Sequence, residues 1–140
     1  MTAASAGFFE EVEHTADVAI RCGGPDLEGL FCNAALGMYH LMGIVSTPAG
    51  TGAKKTIALE AMDVESLLVD WLAELAFIAE TTGLVFRKMT FSVLTHVRLE
   101  ATLNGSRAAH LEKVIKAVTF HRLKVHRQAD GYRTTIVFDV

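Results

Sequence analysis

Two cysteines and two prolines are all that 140 residues contain, and the first scarcity alone removes whole classes of protein. Cys22 and Cys32 are too few and too poorly spaced for a zinc knuckle, so both read as reduced, structural residues, with Cys32 on the inner side of a helix. Long hydrophobic runs are also missing: Glu, Asp or Arg interrupts each one before the roughly 20 residues that a membrane span requires. The segment before Glu10 and Glu11 has no basic region, which does not fit a secretory signal and leads to the expectation of a cytoplasmic protein. Positive charge is not in excess either. Thirteen Lys and Arg against sixteen Asp and Glu give a net charge of -3, which argues against the basic surface that nucleic-acid binders use to displace counterions. Any RNA is therefore expected to be held mainly through a partner. The P-loop, the G-x-S-x-G elbow, the H-E-x-x-H pair and the dinucleotide fingerprint are all absent, so catalysis would have to be assembled from distant residues.

What is present is enough for one compact domain over residues 1–140. Apolar residues make up 51% and charged residues 21%, which is the balance of a chain that buries a core without staples. Residues 8–22 read as an extended arm, a polar His-Thr-Ala-Asp turn or loop, and a strand around Val18 and Ile20. Pro25-Asp26 ends that strand. From Asp26, Leu27, Leu30, Phe31, Ala34, Ala35, Met38, Leu41 and Met42 recur at helical spacing, with Asp26 placed as N-cap and Gly43 as the closing residue. Residues 46–53 have little to bury and read as a mobile loop before a strand at 54–60. A second helix opens at Asp63, buries Val64, Leu67, Leu68, Trp71, Leu72, Leu75, Ile78 and Ala79, and ends near Thr82-Gly83.

DLEGLF and DVESLL share an Asp, apolar, Glu, any, Leu, apolar pattern at an offset of 37, so an internal strand-helix duplication and a chance likeness of two capped helices both remain open. Strands follow at 84–93, 97–103, 114–125 and 132–140, with turns at Asn104-Gly105 and Asp130-Gly131. The whole predicts a two-layer α+β domain, two helices on one face of a largely antiparallel sheet. In the last strand, alternation sets Ile136, Phe138 and Val140 on one face and Thr135, Val137 and Asp139 on the other.

Four segments, in order, resemble the archease family: EHTADVAIRCGGPDLEGLFCNAALGMYHLM, VESLLVDWLAELAFIAETTGLVF, IKAVTFHRLKV and the terminal VFDV. Phe120 stands where that family usually has Tyr, and residues 46–53 match no family pattern. The resemblance implies a non-catalytic accessory factor of tRNA splicing. It would activate an RtcB-type RNA ligase by promoting guanylylation and multiple turnover. It further implies a divalent cation, Ca²⁺, Mg²⁺ or Mn²⁺, bound by Asp17, Asp139 and the terminal carboxylate of Val140, a hard-oxygen set suited to those ions. His14, Lys116 and His121 are candidates for orienting that site or meeting the partner. Read without the resemblance, Asp17 is equally an Asx-turn residue and Asp139 a solvated charge on an edge strand. Two other functions remain open, an autonomous metal-dependent hydrolase and a chaperone-like protein-binding module.

Overall fold

The structure, a computed structural model, describes residues 7–13, 17–46 and 52–140. His14 and most of the loop expected at 46–53 lie outside the described residues. Nine strands and two helices follow one another among those that are described: β1 (Phe8–Glu13), β2 (Val18–Gly24), α1 (Leu27–Met42), β3 (Ile44–Ser46), β4 (Ala53–Glu60), α2 (Val64–Thr82), β5 (Leu84–Leu94), β6 (Arg98–Leu111), β7 (Ala117–Val118), β8 (His126–Gln128) and β9 (Gly131–Asp139).

Both helices begin and end where their capping residues dictate. Asp26 accepts from the Gly29 N–H at 2.7 Å and Asp63 from the Ser66 N–H at 2.7 Å, while Gly43 and Gly83 adopt left-handed φ values of 61° and 78° at the far ends. Hydrogen bonds from the Ser66 side chain and backbone hold the Asp63 carboxyl below its ordinary range. That cap is present at neutral pH and is lost as pH falls through the lowered value. The shared pattern extends to both caps, and beyond it the two units differ in detail. α1 has 16 residues and α2 has 19, and β2 before α1 belongs to a different sheet from β4 before α2.

The α+β class holds, with every strand pair antiparallel, but the strands divide between two sheets where the sequence suggested one. The first runs β1-β2-β9-β7, with β8 also on β9; the second runs β3-β6-β4, with β5 on β6. The helices bridge them, because α1 packs on β1, β2 and β9 but also on β5, and α2 packs on β4, β5 and β6 but also on β7. Two of the expected features fail for identifiable reasons. Asn104-Gly105 is no turn: β6 continues through it, and Gly105 is required because a Cβ there would strike the Val85 carbonyl oxygen where β5 is bulged between Phe86 and Lys88. The stretch 114–125 is no continuous strand, since only Ala117–Val118 pairs before the chain turns at Phe120–Leu123, closed by a Leu123 N–H to Phe120 carbonyl bond of 3.0 Å. Asp130 does lie in the tight β8–β9 turn, with Gln128 paired to Gly131.

Trp71 joins the two helices at the centre of the core. It is fully buried, donates from Nε1 to the Phe31 carbonyl of α1 at 3.1 Å, and packs tilted on Phe31 and on Phe91 of β5, the latter with ring centroids 5.4 Å apart. Asn33, the buried polar residue of α1, donates to the Gly23 and Gly29 carbonyls and so ties the helix to the end of β2. The apolar faces of both helices are consumed in this core, Phe77 on the outside of α2 being the large exception.

Trp71→Phe removes that hydrogen bond and part of the ring's volume, and urea unfolding should show a loss of about 1–3 kcal/mol. Cys22 and Cys32 are free and fully buried, and burial pushes both thiols up to about 12, with Glu28 and Asp26 adding to the effect on Cys32. Because the thiolate is the reactive form, neither cysteine should react with a thiol-exchange reagent at mildly alkaline pH until denaturant is added. Rapid labelling of the folded protein is the contrary result.

Candidate functional site

The acidic candidates come from opposite ends of the chain and meet through one ladder. β2 and β9 pair antiparallel from Gly24↔Tyr132 to Val18↔Phe138; Asp17 stands in the bend just before β2, and one further step of the same register would set it opposite Asp139. Residues directly opposite in an antiparallel pair point to the same face. That face is the outer one, since Ile136 and Phe138 of the opposite parity are fully buried in the core. β7 completes the row by setting Ala117 opposite Asp139 on the other edge of β9. Asp139 is exposed and Asp17 half-buried. Behind them on the same face, Ala19 and Val137 form a buried apolar pair in the next row, which fixes the floor of the site.

Lys116 and His121 take different places. The Lys116 backbone N–H donates to the Asp139 carbonyl at 2.8 Å, so the two segments touch. Its side chain is exposed and lines a groove with Ala73, Ala76, Phe77 and Glu80 of α2, on the helix side of β7 and not on the side of the Asp139 carboxylate. His121 is exposed in the turn after β7, its backbone N–H 3.3 Å from the Thr119 hydroxyl. Val140 is partly exposed and directly follows Asp139 beyond the end of β9.

Chemically, this end of the ladder offers two carboxylates, that of Asp139 exposed and that of Asp17 half-buried. Among the described residues no three His, Cys, Asp or Glu side chains gather as a metal cluster, so the side chains alone supply at most the four oxygens of Asp17 and Asp139. Calcium takes six to eight oxygens and magnesium about six, so this set fits a hard divalent cation only as a partial shell, with water or another molecule completing it. The repeated D-x-E helix openings gave no hint of this site. The family resemblance did, and the parity of VFDV set only Asp139 on the face opposite Phe138.

Comparison with known proteins agrees with the fold. The model of the archease protein family (MTH1598/TM1083) matches residues 9–140. The chain is 32% identical to the protein archease of Methanosarcina barkeri and 34% identical to that of Methanosarcina acetivorans, in each case over 94% of this chain and 95% of the relative. Among solved structures, the crystal structure of an archease, "possible chaperone", from Thermotoga maritima superposes with a TM-score of 0.69 at 26% identity, covering 94% of this chain and 96% of that one. The solution structure of protein 1598 from Methanobacterium thermoautotrophicum gives 0.67 at 28% identity, covering 94% and 98%.

Like charges directly opposite on a sheet repel, by about 0.2–1 kcal/mol in exposed pairs. In the presence of a chelator, Asp139→Asn should therefore raise the melting temperature slightly; a lowered one would mean that the carboxylate has a structural partner.

Proposed function

Because the chain belongs to the archease family, we propose that it is a non-catalytic accessory factor that activates an RtcB-type tRNA-splicing RNA ligase. It does so by promoting the ligase's guanylylation and multiple turnover, through a divalent cation held at its acidic end. The observation that carries this reading is the juxtaposition of Asp17 and Asp139 on one outer face at the end of the β2–β9 ladder. Two carboxylates at one end of the ladder would hold a hard divalent cation, with the Val140 carboxylate as the further oxygen that the family resemblance adds. When bound, the cation supplies positive charge that a phosphate or a carboxylate of the partner can share. Asp17 and Asp139 orient it, and the buried Ala19 and Val137 beneath hold the two strands in register while it is gripped.

An incomplete shell serves a helper and a hydrolase alike, and it is the family membership that favours the helper. A hydrolase would need, besides the cation, a base poised over a metal-bound water. A docking factor needs the remaining positions free for its partner. Lys116, whose side chain lies on the α2 side of the same strand end, sets a positive charge beside exposed Phe77, a pairing that suits a protein contact more than a metal site.

The test is ligation under multiple turnover by a cognate RtcB-type ligase with GTP and Mn²⁺, with and without this protein. Wild type should stimulate the rate, and Asp17→Ala and Asp139→Ala should each lose at least about tenfold of the stimulation while remaining folded. Stimulation that survives both substitutions removes the metal from the mechanism; none by folded wild type overturns the accessory role.

A further inference from the structure

The outer face that carries the acidic pair at one end is strongly basic at the other. Thr135 pairs with Arg21, and Arg133 with Gly23 and His126, so Arg21, Arg133 and His126 all share the outer parity of Asp139. The chain leading into β8 continues the row. From Arg122 to His126 exposure alternates strictly, with Arg122, Lys124 and His126 exposed and Leu123 and Val125 half-buried against the core. Two hydrogen bonds hold this extended segment by its backbone. The Val125 N–H donates to Glu65 at the start of α2 at 2.8 Å, and the Lys124 carbonyl accepts from the buried Thr134 hydroxyl at 2.8 Å. Neither bond uses the side chains of Arg122, Lys124 or His126, which present one cationic or cation-capable group about every 7 Å.

These residues line a groove of about 310 Å³ into which four Lys or Arg side chains converge and which no acidic residue lines. Arg21 pairs with Glu10 at 2.6 Å and Arg133 with Asp130 at 3.3 Å at the rim. Arg122 and Lys124 have no ion-pair partner among the described residues, although the Lys124 charge reaches Asp63 strongly enough to help lower its pKa. In a chain of net charge -3, this is a local concentration that the overall balance conceals.

The turn at the groove's end carries two further costs that a plain solvated surface has no need of. Arg122 is left-handed at φ 52°, the only non-glycine residue with positive φ among the described residues, where glycine would be unstrained. Phe120, two residues earlier, leaves 58% of its surface in water. Phe120 does not line the groove itself, but the turn closed by the Leu123 N–H to Phe120 carbonyl bond keeps it close to Arg122, which does. Cations in a row with an exposed aromatic ring close by can track a phosphodiester backbone and stack a base.

We propose that the groove bounded by Arg21, Arg122, Lys124, His126 and Arg133, with Phe120 close by, binds single-stranded nucleic acid. The phosphates run along the cation row and a base stacks on Phe120. An acidic peptide would use the charge but not the ring, and a free nucleotide would not need a row of this length. The site stands apart from the acidic pair and does not depend on the ligase reading.

The experiment is fluorescence anisotropy of a labelled oligouridylate of about 12 nucleotides, titrated with the full chain in chelator, with no ligase present. Binding should weaken steeply with salt, log Kd changing with log salt by about 3 if four phosphates are neutralised, since each contributes about 0.7 on a single strand. Arg122→Glu with Lys124→Glu should abolish or sharply weaken binding and flatten that slope while leaving the melting temperature near wild type. Phe120→Ala should weaken binding about tenfold with the slope unchanged. No binding by the folded wild type at low salt, or binding indifferent to the charge reversal, overturns the proposal. So does an unaltered affinity in Phe120→Ala, competition by oligoglutamate as effective as by unlabelled RNA, or equal competition by tripolyphosphate at matched phosphate concentration. The first of these last two assigns the groove to an acidic polypeptide and the second to free phosphates.

Discussion

The pairing of β9 on both of its edges is the constraint on which the rest depends. β2 takes one edge along its length and β7 and β8 take the two ends of the other, so a shift of β9 by one residue would exchange every inner side chain for an outer one. Ile136 and Phe138 would leave the core, and Asp139, Thr135 and Arg133 would enter it. The depth of the apolar set on the inner face, together with Trp71 and Phe31 behind it, makes that exchange prohibitive. Register is thus enforced by the core, and the outer chemistry comes as its by-product.

That by-product is a polarised face. Arg133 and Asp139 are six residues apart on one strand, about 20 Å, so one end of β9 presents cations and the other carboxylates without the two neutralising each other. Over such a span, exposed charges are screened from one another at physiological salt. Each end can accordingly be selected for its own partner. The acidic pair and the basic groove also differ in support: the first rests on a regular ladder, the second on a segment that leaves the sheet edge and is held there by Glu65 and Thr134.

The helices and their caps were legible in the sequence because capping and periodicity are local: Asp26, Gly43, Asp63 and Gly83 each act within a turn of their own position. Gly105 misled for the opposite reason. Asn-Gly is a turn signal only when nothing else demands a bare backbone, and here the bulge of β5 demands it from a residue remote in sequence. The division into two sheets is likewise set by which strands β6 and β9 recruit, which no local pattern encodes. Asp17 and Asp139 were singled out by family resemblance, and their adjacency required the register. The alternation of Arg122, Lys124 and His126 was in plain sight, but net charge was read for the whole chain and a mean cannot report segregation.

Asp17 precedes β2 and Asp139 ends β9, the last of the described elements, so β2 is made well before its partner. The paired carboxylates therefore do not exist on a ribosome-bound chain still lacking β9, nor on a molecule whose final strand has peeled away. Anything that recognises the pair thus recognises a fold in which β9 is seated on β2.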